Sequence, residues 1–127
     1  MFDHVELPVS DLAASTAFYE VVLAPLGIEQ TASGQLVEFG ALTLVRRAPR
    51  ECLHLAFIAE SQAAVTAFHR AGVDAGYRDS GAPGLRSYAP DYFAAYLLDP
   101  DGHNVEAVHR SPETRAGWTW LRAGVVS

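Results

Sequence analysis

The chain of 127 residues contains no lysine, and all nine of its basic residues are arginine. Catalysis through a lysine Schiff base is therefore excluded. A formal net charge of −6 argues against non-specific nucleic-acid binding, which depends on a basic surface. The single cysteine, Cys52, excludes an internal disulfide framework.

Long hydrophobic runs are missing as well. No apolar stretch approaches the roughly 20 residues of a membrane-spanning helix, so we expect no membrane partner. The first residues, Met1 to His4, lack the basic region and apolar stretch of a signal peptide. Because the length suits one domain and half of the residues are hydrophobic, we expect a single cytoplasmic domain over residues 1–127.

The patterns of apolar and turn residues predict the same order of elements twice. Module one, about residues 1–48, reads as a strand at 2–9, a helix at 11–27 capped by Ser10, and strands near 28–31, 35–39 and 41–47. After a linker at 47–51, module two, about residues 52–110, reads as a strand at 52–59, a helix at 62–76 capped by Ser61, a strand at 76–79, a loop at 80–90, and a hairpin around the turn at 99–102. The tail, 111–127, is less regular.

Equivalent residues recur at a constant spacing in the two modules. His4 and His54 are each the third residue of their strand and lie 50 residues apart, as do Phe18 and Phe68 in the helices. An internal duplication explains this spacing, and it predicts an α+β fold built from two strand–helix–three-strand units.

Alternation along the strands separates the apolar residues from three possible metal ligands. One face carries Val5, Leu7 and Val9 in the first strand, Leu53, Leu55 and Phe57 in the second module, and Val105 and Ala107 in the last strand. That face is expected to lie under the helices, which leaves His4, His54 and Glu106 on the opposite face. Two neutral imidazoles and a carboxylate suit a divalent metal, and a cation would also neutralise a carboxylate in the middle of a strand.

At these residues the chain resembles the vicinal oxygen chelate superfamily, which includes glyoxalase I, extradiol dioxygenases, and fosfomycin and bleomycin resistance proteins. The similar stretches are "FDHVELPVSDLAASTAFYEVVLAPLG", "HLAFIAESQAAVTAFHRAGVDAGYRDSGAPGLR" and "YFAAYLLDPDGHNVEAV". The resemblance implies two βαβββ modules that form a cupped, barrel-like mixed sheet with the helices outside. It also implies metal ligands at His4, His54 and Glu106. Near Thr43 and Leu44, where a further ligand would stand, there is no carboxylate, which departs from the four-ligand glyoxalase pattern.

Other side chains near these positions have two interpretations. Tyr96 could donate a hydrogen bond to a substrate oxyanion, although an ordinary sheet aromatic explains it equally well. Glu6 shares a face with His4 and could act as a base or support a ligand, or it could lie in water. The loop residues, together with one at its end, could contact an anionic or aromatic substrate: Arg86, Tyr88 and Tyr92.

The resemblance implies a glyoxalase-like, metal-dependent enzyme whose small, oxygen-rich substrate chelates a divalent ion. Lyase, isomerase, dioxygenase and thiol-transferase chemistry all suit such a site, and zinc, manganese, iron and nickel all suit the ligands. The alternative is a non-catalytic, bleomycin-resistance-type protein that sequesters a ligand. The resemblance also implies a homodimer, and Trp118 and Trp120 in the tail are expected to pack on the body or on a partner chain.

Overall fold

Each half of the chain folds as a strand, a helix and three further strands, as the repeated pattern predicts. The computed structural model describes residues 2–111, so the prediction for Trp118 and Trp120 lies outside the described residues. The first half contains β1 (Val5–Val9), α1 (Leu12–Leu23), a short 3-10 helix (Ala24–Leu26), β2 (Gln30–Ala32), β3 (Leu36–Phe39) and β4 (Leu42–Arg46). The second half contains β5 (His54–Ile58), α2 (Gln62–Asp74), β6 (Arg78–Leu85), β7 (Phe93–Leu98) and β8 (Asn104–His109).

The strands form two four-stranded mixed sheets with the same topology. Their orders are β1-β4-β3-β2 and β5-β8-β7-β6, and the first strand of each module runs parallel to the last. Two helices and two mixed sheets confirm the predicted α+β class. The sheets are cupped and are not closed into a barrel. In both sheets the first strand of the module lies at an edge.

The helices begin and end at residues with recognisable roles, although one predicted cap is wrong. Asp11, not Ser10, caps α1, and its Oδ1 accepts a 3.0 Å hydrogen bond from the backbone N–H of Ala14. The Ser61 side chain caps α2 as predicted. The 3-10 helix after α1 ends at Gly27, whose φ of 75° places it in the left-handed region that glycine tolerates best.

The segment predicted as a glycine- and proline-rich loop is largely strand. β6 continues to Leu85, and its pairing with β7 shifts register on both sides of Gly81. Such bulges let a strand contain residues that disfavour regular pairing. At Gly81 a Cβ atom would lie 2.6 Å from Cδ2 of Tyr96, so the close approach of a ring requires glycine there.

The core lies where α1 and α2 pack against each other and against the sheets. Its largest fully buried side chains include Tyr19, Phe18, Phe39 and Phe68. The predicted apolar face is confirmed by the buried side chains of Leu7, Val9, Val105 and Ala107, and it is wrong for Val5, which is exposed. In β8 the residues of the opposite face, 106 and 108, are buried as well. β8 is an inner strand of a curved sheet and is therefore covered on both faces. Among residues 2–111, neither helix has the length and apolar composition needed to cross a membrane.

Candidate functional site

A pocket of about 720 Å³ opens on the second sheet. This volume is in the range typical of small-molecule sites. Its walls are predominantly polar and aromatic side chains: His54, Ser80, Tyr88, Tyr92, Tyr96, Asn104 and Glu106.

Strand pairing positions the side chains at the floor of this pocket. In the parallel ladder between β5 and β8, His54 lies beside Asn104. In the antiparallel ladder between β7 and β8, Tyr96 lies beside Glu106. Since Asn104 and Glu106 are two residues apart on one strand, they project from the same face. The site is therefore built on three adjacent strands of one rigid sheet.

Glu106 is buried at the centre of this face, with 2% of its surface exposed. Its Oε1 lies 2.8 Å from Nε2 of His54, and its Oε2 accepts a 2.5 Å hydrogen bond from the hydroxyl of Tyr92. Two hydrogen bonds to one carboxylate offset part of the cost of burying the charge. The chain's own donors thus provide one answer to why a carboxylate is tolerated in this strand.

Two tyrosines of the pocket, Tyr92 and Tyr96, have raised pKa values and remain protonated at neutral pH. Burial and the nearby Glu106 carboxylate raise the pKa of Tyr96 to about 12. Burial and the hydrogen bond to Glu106 also raise the pKa of Tyr92 well above its ordinary value. Tyr88 meets Tyr92 edge to face, with 5.2 Å between the ring centroids. The pocket therefore offers neutral phenol donors and aromatic surfaces.

Two residues predicted to act with the pocket lie elsewhere in the single chain. His4 is half exposed on the N-terminal side of β1, and its Nδ1 lies 2.9 Å from Oδ1 of Asp3, which raises the pKa of the imidazole. Glu6 is exposed on the same strand. Neither side chain lines the pocket, so the chain by itself brings together His54 and Glu106 without His4.

Arg86 lies behind the pocket wall. Its guanidinium stacks on the ring of Tyr96 at 5.3 Å and donates a 2.7 Å hydrogen bond to the carbonyl of Ala82. A Cβ atom at Gly84 would lie 3.0 Å from Arg86 Nη1, so the glycine makes room for the guanidinium. This packing holds Tyr96 and a positive charge next to the site.

His54 and Glu106 fit two ligand positions of one divalent ion. Donor atoms that share an ion at ordinary bond lengths are about 3.0 to 3.4 Å apart. The observed 2.8 Å between Nε2 of His54 and Oε1 of Glu106 is a few tenths of an ångström shorter, as expected when a proton joins them. Imidazole and carboxylate together suit zinc, manganese, iron and nickel.

A second group of metal-capable side chains, Asp99, Asp101 and His103, occupies the turn before β8. Tyr19 donates a 2.7 Å hydrogen bond to Oδ2 of Asp99, whose Oδ1 accepts the backbone N–H groups of Asp101 and His103. The backbone N–H of Ser10 donates to the carboxylate of Asp101.

The His103 ring is equally occupied. Its Nδ1 accepts the backbone N–H of Leu53 at 2.9 Å, and its Nε2 donates to the carbonyl of Pro8 at 3.1 Å. The bond from His103 to Pro8 joins β1 to the second module, and the bond from Tyr19 to Asp99 joins α1 to it. The carboxylate oxygens and ring nitrogens that could bind a metal ion are thus all used in hydrogen bonds within the protein. We therefore interpret Asp99, Asp101 and His103 as a connection between the modules.

Asn104, like Ser80, lines the pocket although no role was predicted for it from the sequence. Its Nδ2 lies 2.9 Å from Nδ1 of His54, and its Oδ1 is buried without a hydrogen-bond partner among the described residues. The available signal was its spacing of two residues from Glu106, which places both on one strand face.

Comparisons with known proteins identify the family and the fold of the chain. The profile described as "Glyoxalase/Bleomycin resistance protein/Dioxygenase superfamily" matches residues 1–107. A crystal structure of a glyoxalase/bleomycin resistance protein from Albidiferax ferrireducens T118 is 33% identical, covers 87% of this chain and 98% of its own, and superposes with a TM-score of 0.69. No curated protein matches the chain.

Two more distant structures share the fold. The fosfomycin resistance protein FosX from Listeria monocytogenes is 20% identical, covers 91% of this chain and 97% of its own, and has a TM-score of 0.70. A lactoylglutathione lyase from Agrobacterium tumefaciens is 22% identical, covers 86% and 92%, and has a TM-score of 0.66.

Proposed function

The chain belongs to the glyoxalase/bleomycin resistance protein/dioxygenase superfamily, and from this premise we propose that it is a metal-dependent enzyme acting on a small, oxygen-rich substrate. The observation that carries the proposal is the contact between His54 and the buried carboxylate of Glu106 on the floor of a tyrosine-lined pocket. A divalent ion held by His54 and Glu106 would supply Lewis-acid stabilisation of negative charge on neighbouring substrate oxygens.

We propose that the third ligand is His4 of a second copy of the chain. β1 and β5 are edge strands, so one edge of each is unpaired among residues 2–111. Exposed apolar side chains lie on these two strands and just before β1: Phe2, Val5 and Ile58. An apposition of β1 from one copy with β5 from the other would cover them and would bring His4 of the partner subunit towards His54 and Glu106.

Within this site the other residues have separate roles. Tyr96 donates a hydrogen bond to a substrate oxygen that gains negative charge, and its raised pKa keeps the donor protonated. Glu6 lies two residues beyond His4 and is exposed on β1. In the proposed dimer it would approach the pocket from the same second copy as a candidate base. Tyr88, Tyr92 and Arg86 orient the substrate through ring faces and positive charge.

Chelation of two neighbouring substrate oxygens by one divalent ion would be common to the reactions considered. Lyase, isomerase, dioxygenase and thiol-transferase activities remain alternatives for this chain. The names of the structural neighbours, a lactoylglutathione lyase and a fosfomycin resistance protein, support testing lactoylglutathione and fosfomycin, beside small dicarbonyls and catechols.

The first experiment measures bound metal in protein purified without a histidine tag and loaded in turn with zinc, manganese, iron and nickel. Wild-type protein is expected to retain a stoichiometric ion after dialysis, and His54→Ala and Glu106→Gln are expected to lose it. His69→Ala is the matched control, because His69 pairs with Asp79 outside the pocket. Absence of any retained ion from wild-type protein contradicts the proposal.

The second experiment tests the shared site. His4→Ala and His54→Ala are each expected to lose metal. The two variants should be unfolded and refolded as a mixture. Each mixed dimer should then contain one intact metal site, because one of its two sites receives His54 from the first variant and His4 from the second. No recovery on mixing, while each variant still dimerises, refutes the contribution of His4 from a partner.

A non-catalytic binding protein is the alternative function. The edge-to-face pair of Tyr88 and Tyr92 at the pocket favours it, because aromatic walls bind planar ligands without any chemistry. Thermal-shift screening with metal-free protein separates the two proposals. A bleomycin-type ligand that stabilises the metal-free protein and is unchanged afterwards supports sequestration, whereas stabilisation that requires the ion supports the enzyme.

A further inference from the structure

We propose that Asn104 is the positioning residue that determines which ring nitrogen of His54 carries the proton, and that its side-chain amide turns over when His54 binds a metal ion. The second half of this inference rests on the proposed function. The first half concerns the metal-free protein and can be tested without any ion.

The backbone holds the two residues side by side. His54 and Asn104 are direct partners in the parallel ladder of β5 and β8, and the N–H of Asn104 donates a 2.8 Å hydrogen bond to the carbonyl of Leu53. The side chains meet at 2.9 Å between Asn104 Nδ2 and His54 Nδ1. The pairing of β5 with β8 therefore holds the Asn104 side chain against the His54 ring.

The contact specifies one tautomer of the neutral imidazole. An amide nitrogen only donates, so Nδ1 of His54 must be the acceptor. The proton of the neutral ring then lies on Nε2, which faces Oε1 of Glu106 at 2.8 Å. In this arrangement Nε2 has no lone pair to offer to a cation.

The amide oxygen of Asn104 indicates a second arrangement, in which His54 could bind a metal ion. Oδ1 of Asn104 is buried and has no hydrogen-bond partner among the described residues. A half-turn of the amide would direct Oδ1 to Nδ1 of His54, which would then carry the proton and donate it. Nε2 would then present its lone pair beside the Glu106 carboxylate. One side chain can therefore support both the hydrogen-bonded and the metal-binding form of His54.

Metal-binding histidines usually donate their second ring N–H to an acceptor that fixes the ring, and Asn104 Oδ1 would be that acceptor. The carboxylate of Glu106 cannot serve, because it lies at the opposite ring nitrogen. If Nδ1 of His54 faced only a hydrogen-bond donor, it could not carry the proton. The ring would then have to rotate, or lose its hydrogen bond to Asn104, before Nε2 could bind a metal ion.

Three variants separate this role from simple packing. Asn104→Asp can only accept at this position, so it should place a proton on Nδ1. Asn104→Leu keeps the approximate volume and offers no hydrogen bond. Ser80→Ala removes another polar side chain of the pocket that makes no hydrogen bond to His54 in the described structure, and it is the control. Circular dichroism and urea unfolding of each variant establish that the fold is kept.

The primary measurement is the long-range proton–nitrogen NMR spectrum of the labelled His54 ring at one neutral pH, assigned with His54→Gln. Metal-free wild-type protein should show an unprotonated Nδ1, and Asn104→Asp should show a protonated one. A wild-type ring with protonated Nδ1, or an Asn104→Asp spectrum identical to wild type, overturns the proposal.

The second measurement is zinc affinity by competition with a metal-binding dye. Asn104→Leu should bind zinc about 10- to 100-fold more weakly than wild type, as expected for loss of a group that orients a ligand. Asn104→Asp and Ser80→Ala should bind at least as well as wild type, and zinc should move the wild-type proton to Nδ1. Unchanged affinity in Asn104→Leu refutes the role of the amide in metal binding. If wild-type protein binds no zinc, manganese, iron or nickel, the proposed function fails, while the metal-free spectra still decide the role of Asn104.

Discussion

Replacing Tyr19 by phenylalanine removes a single hydroxyl from the contact between the two modules. Tyr19 is completely buried on α1, and its hydroxyl donates a 2.7 Å hydrogen bond to Oδ2 of Asp99 in the turn before β8. Asp99 is itself 4% exposed, and its other oxygen already accepts two backbone N–H groups. Burial and the Asp99 carboxylate raise the pKa of Tyr19 far above its ordinary value, so the hydroxyl stays protonated as a donor.

The expected cost follows from the charge and burial of the acceptor. A hydrogen bond to a charged group contributes about 1.5 to 3 kcal/mol, and an unpaired buried oxygen cannot recover that energy from water. Phenylalanine keeps the ring and its packing, so almost no cavity term is added. We therefore expect Tyr19→Phe to lower the free energy of unfolding by about 2 kcal/mol. For a chain of this size, each kcal/mol lowers the melting temperature by about 3 to 5 °C.

Urea unfolding at neutral pH measures this loss, with the slope on urea concentration expected to stay constant. Tyr77→Phe is the matched control, because Tyr77 packs edge-on against Phe18 and its hydroxyl has no hydrogen-bond partner among the described residues. A change below about 0.5 kcal/mol in Tyr19→Phe, equal to the control, would refute the assignment of this bond as a connection between modules. A double-mutant cycle with Asp99→Asn then measures the coupling directly.

Gly72→Ala should destabilise the protein although alanine favours a helix by about 1 kcal/mol. The new Cβ would overlap Cδ1 of the fully buried Leu97. Overpacking of this kind costs about 1 to 3 kcal/mol, which urea unfolding measures. A more stable variant would contradict the close packing of α2 on β7. Asp79→Asn should remove part of the acid sensitivity of the melting temperature. Hydrogen bonds from the His69 ring and from the backbone N–H of Gly81 lower the pKa of Asp79 below its ordinary value of 3.8. Its contribution is complete above that value and is lost as the pH falls through the lowered pKa, so wild type and variant should converge in acid, and a constant difference across the pH series would refute it.

The duplicated order of elements could be predicted because it depends on local rules. Alternation and turn residues place the strands within a few residues, and Ser61 forms the predicted cap of α2. The strand predicted at 76–79 ends too early, and the continuation of β6 to Leu85 was missed, since glycine and proline disfavour strands when judged by propensity alone. Its register shifts around Gly81, and the ring of Tyr96 that occupies the space, are consequences of pairing with β7.

The candidate site was predictable in the same limited sense. Spacing along each strand placed His54 and Glu106 on one face, and the structure brings their side chains to 2.8 Å. The burial of each side chain could not be predicted from this spacing, because it depends on whether the strand lies inside the sheet or at its edge. Glu106 is therefore buried, whereas His4 at the end of an edge strand is half exposed.

The sequence by itself determined the α+β class, the two repeated units, and the residue types from which a metal site can be built, because these depend on periodicity and chemistry within short stretches. Only the tertiary structure decided which side chains meet. The ladder of β5 and β8 pairs His54 with Asn104, and the turn before β8 joins the modules through Tyr19 and Asp99. Such contacts depend on strand register and sheet curvature, which are set by residues far apart in the chain.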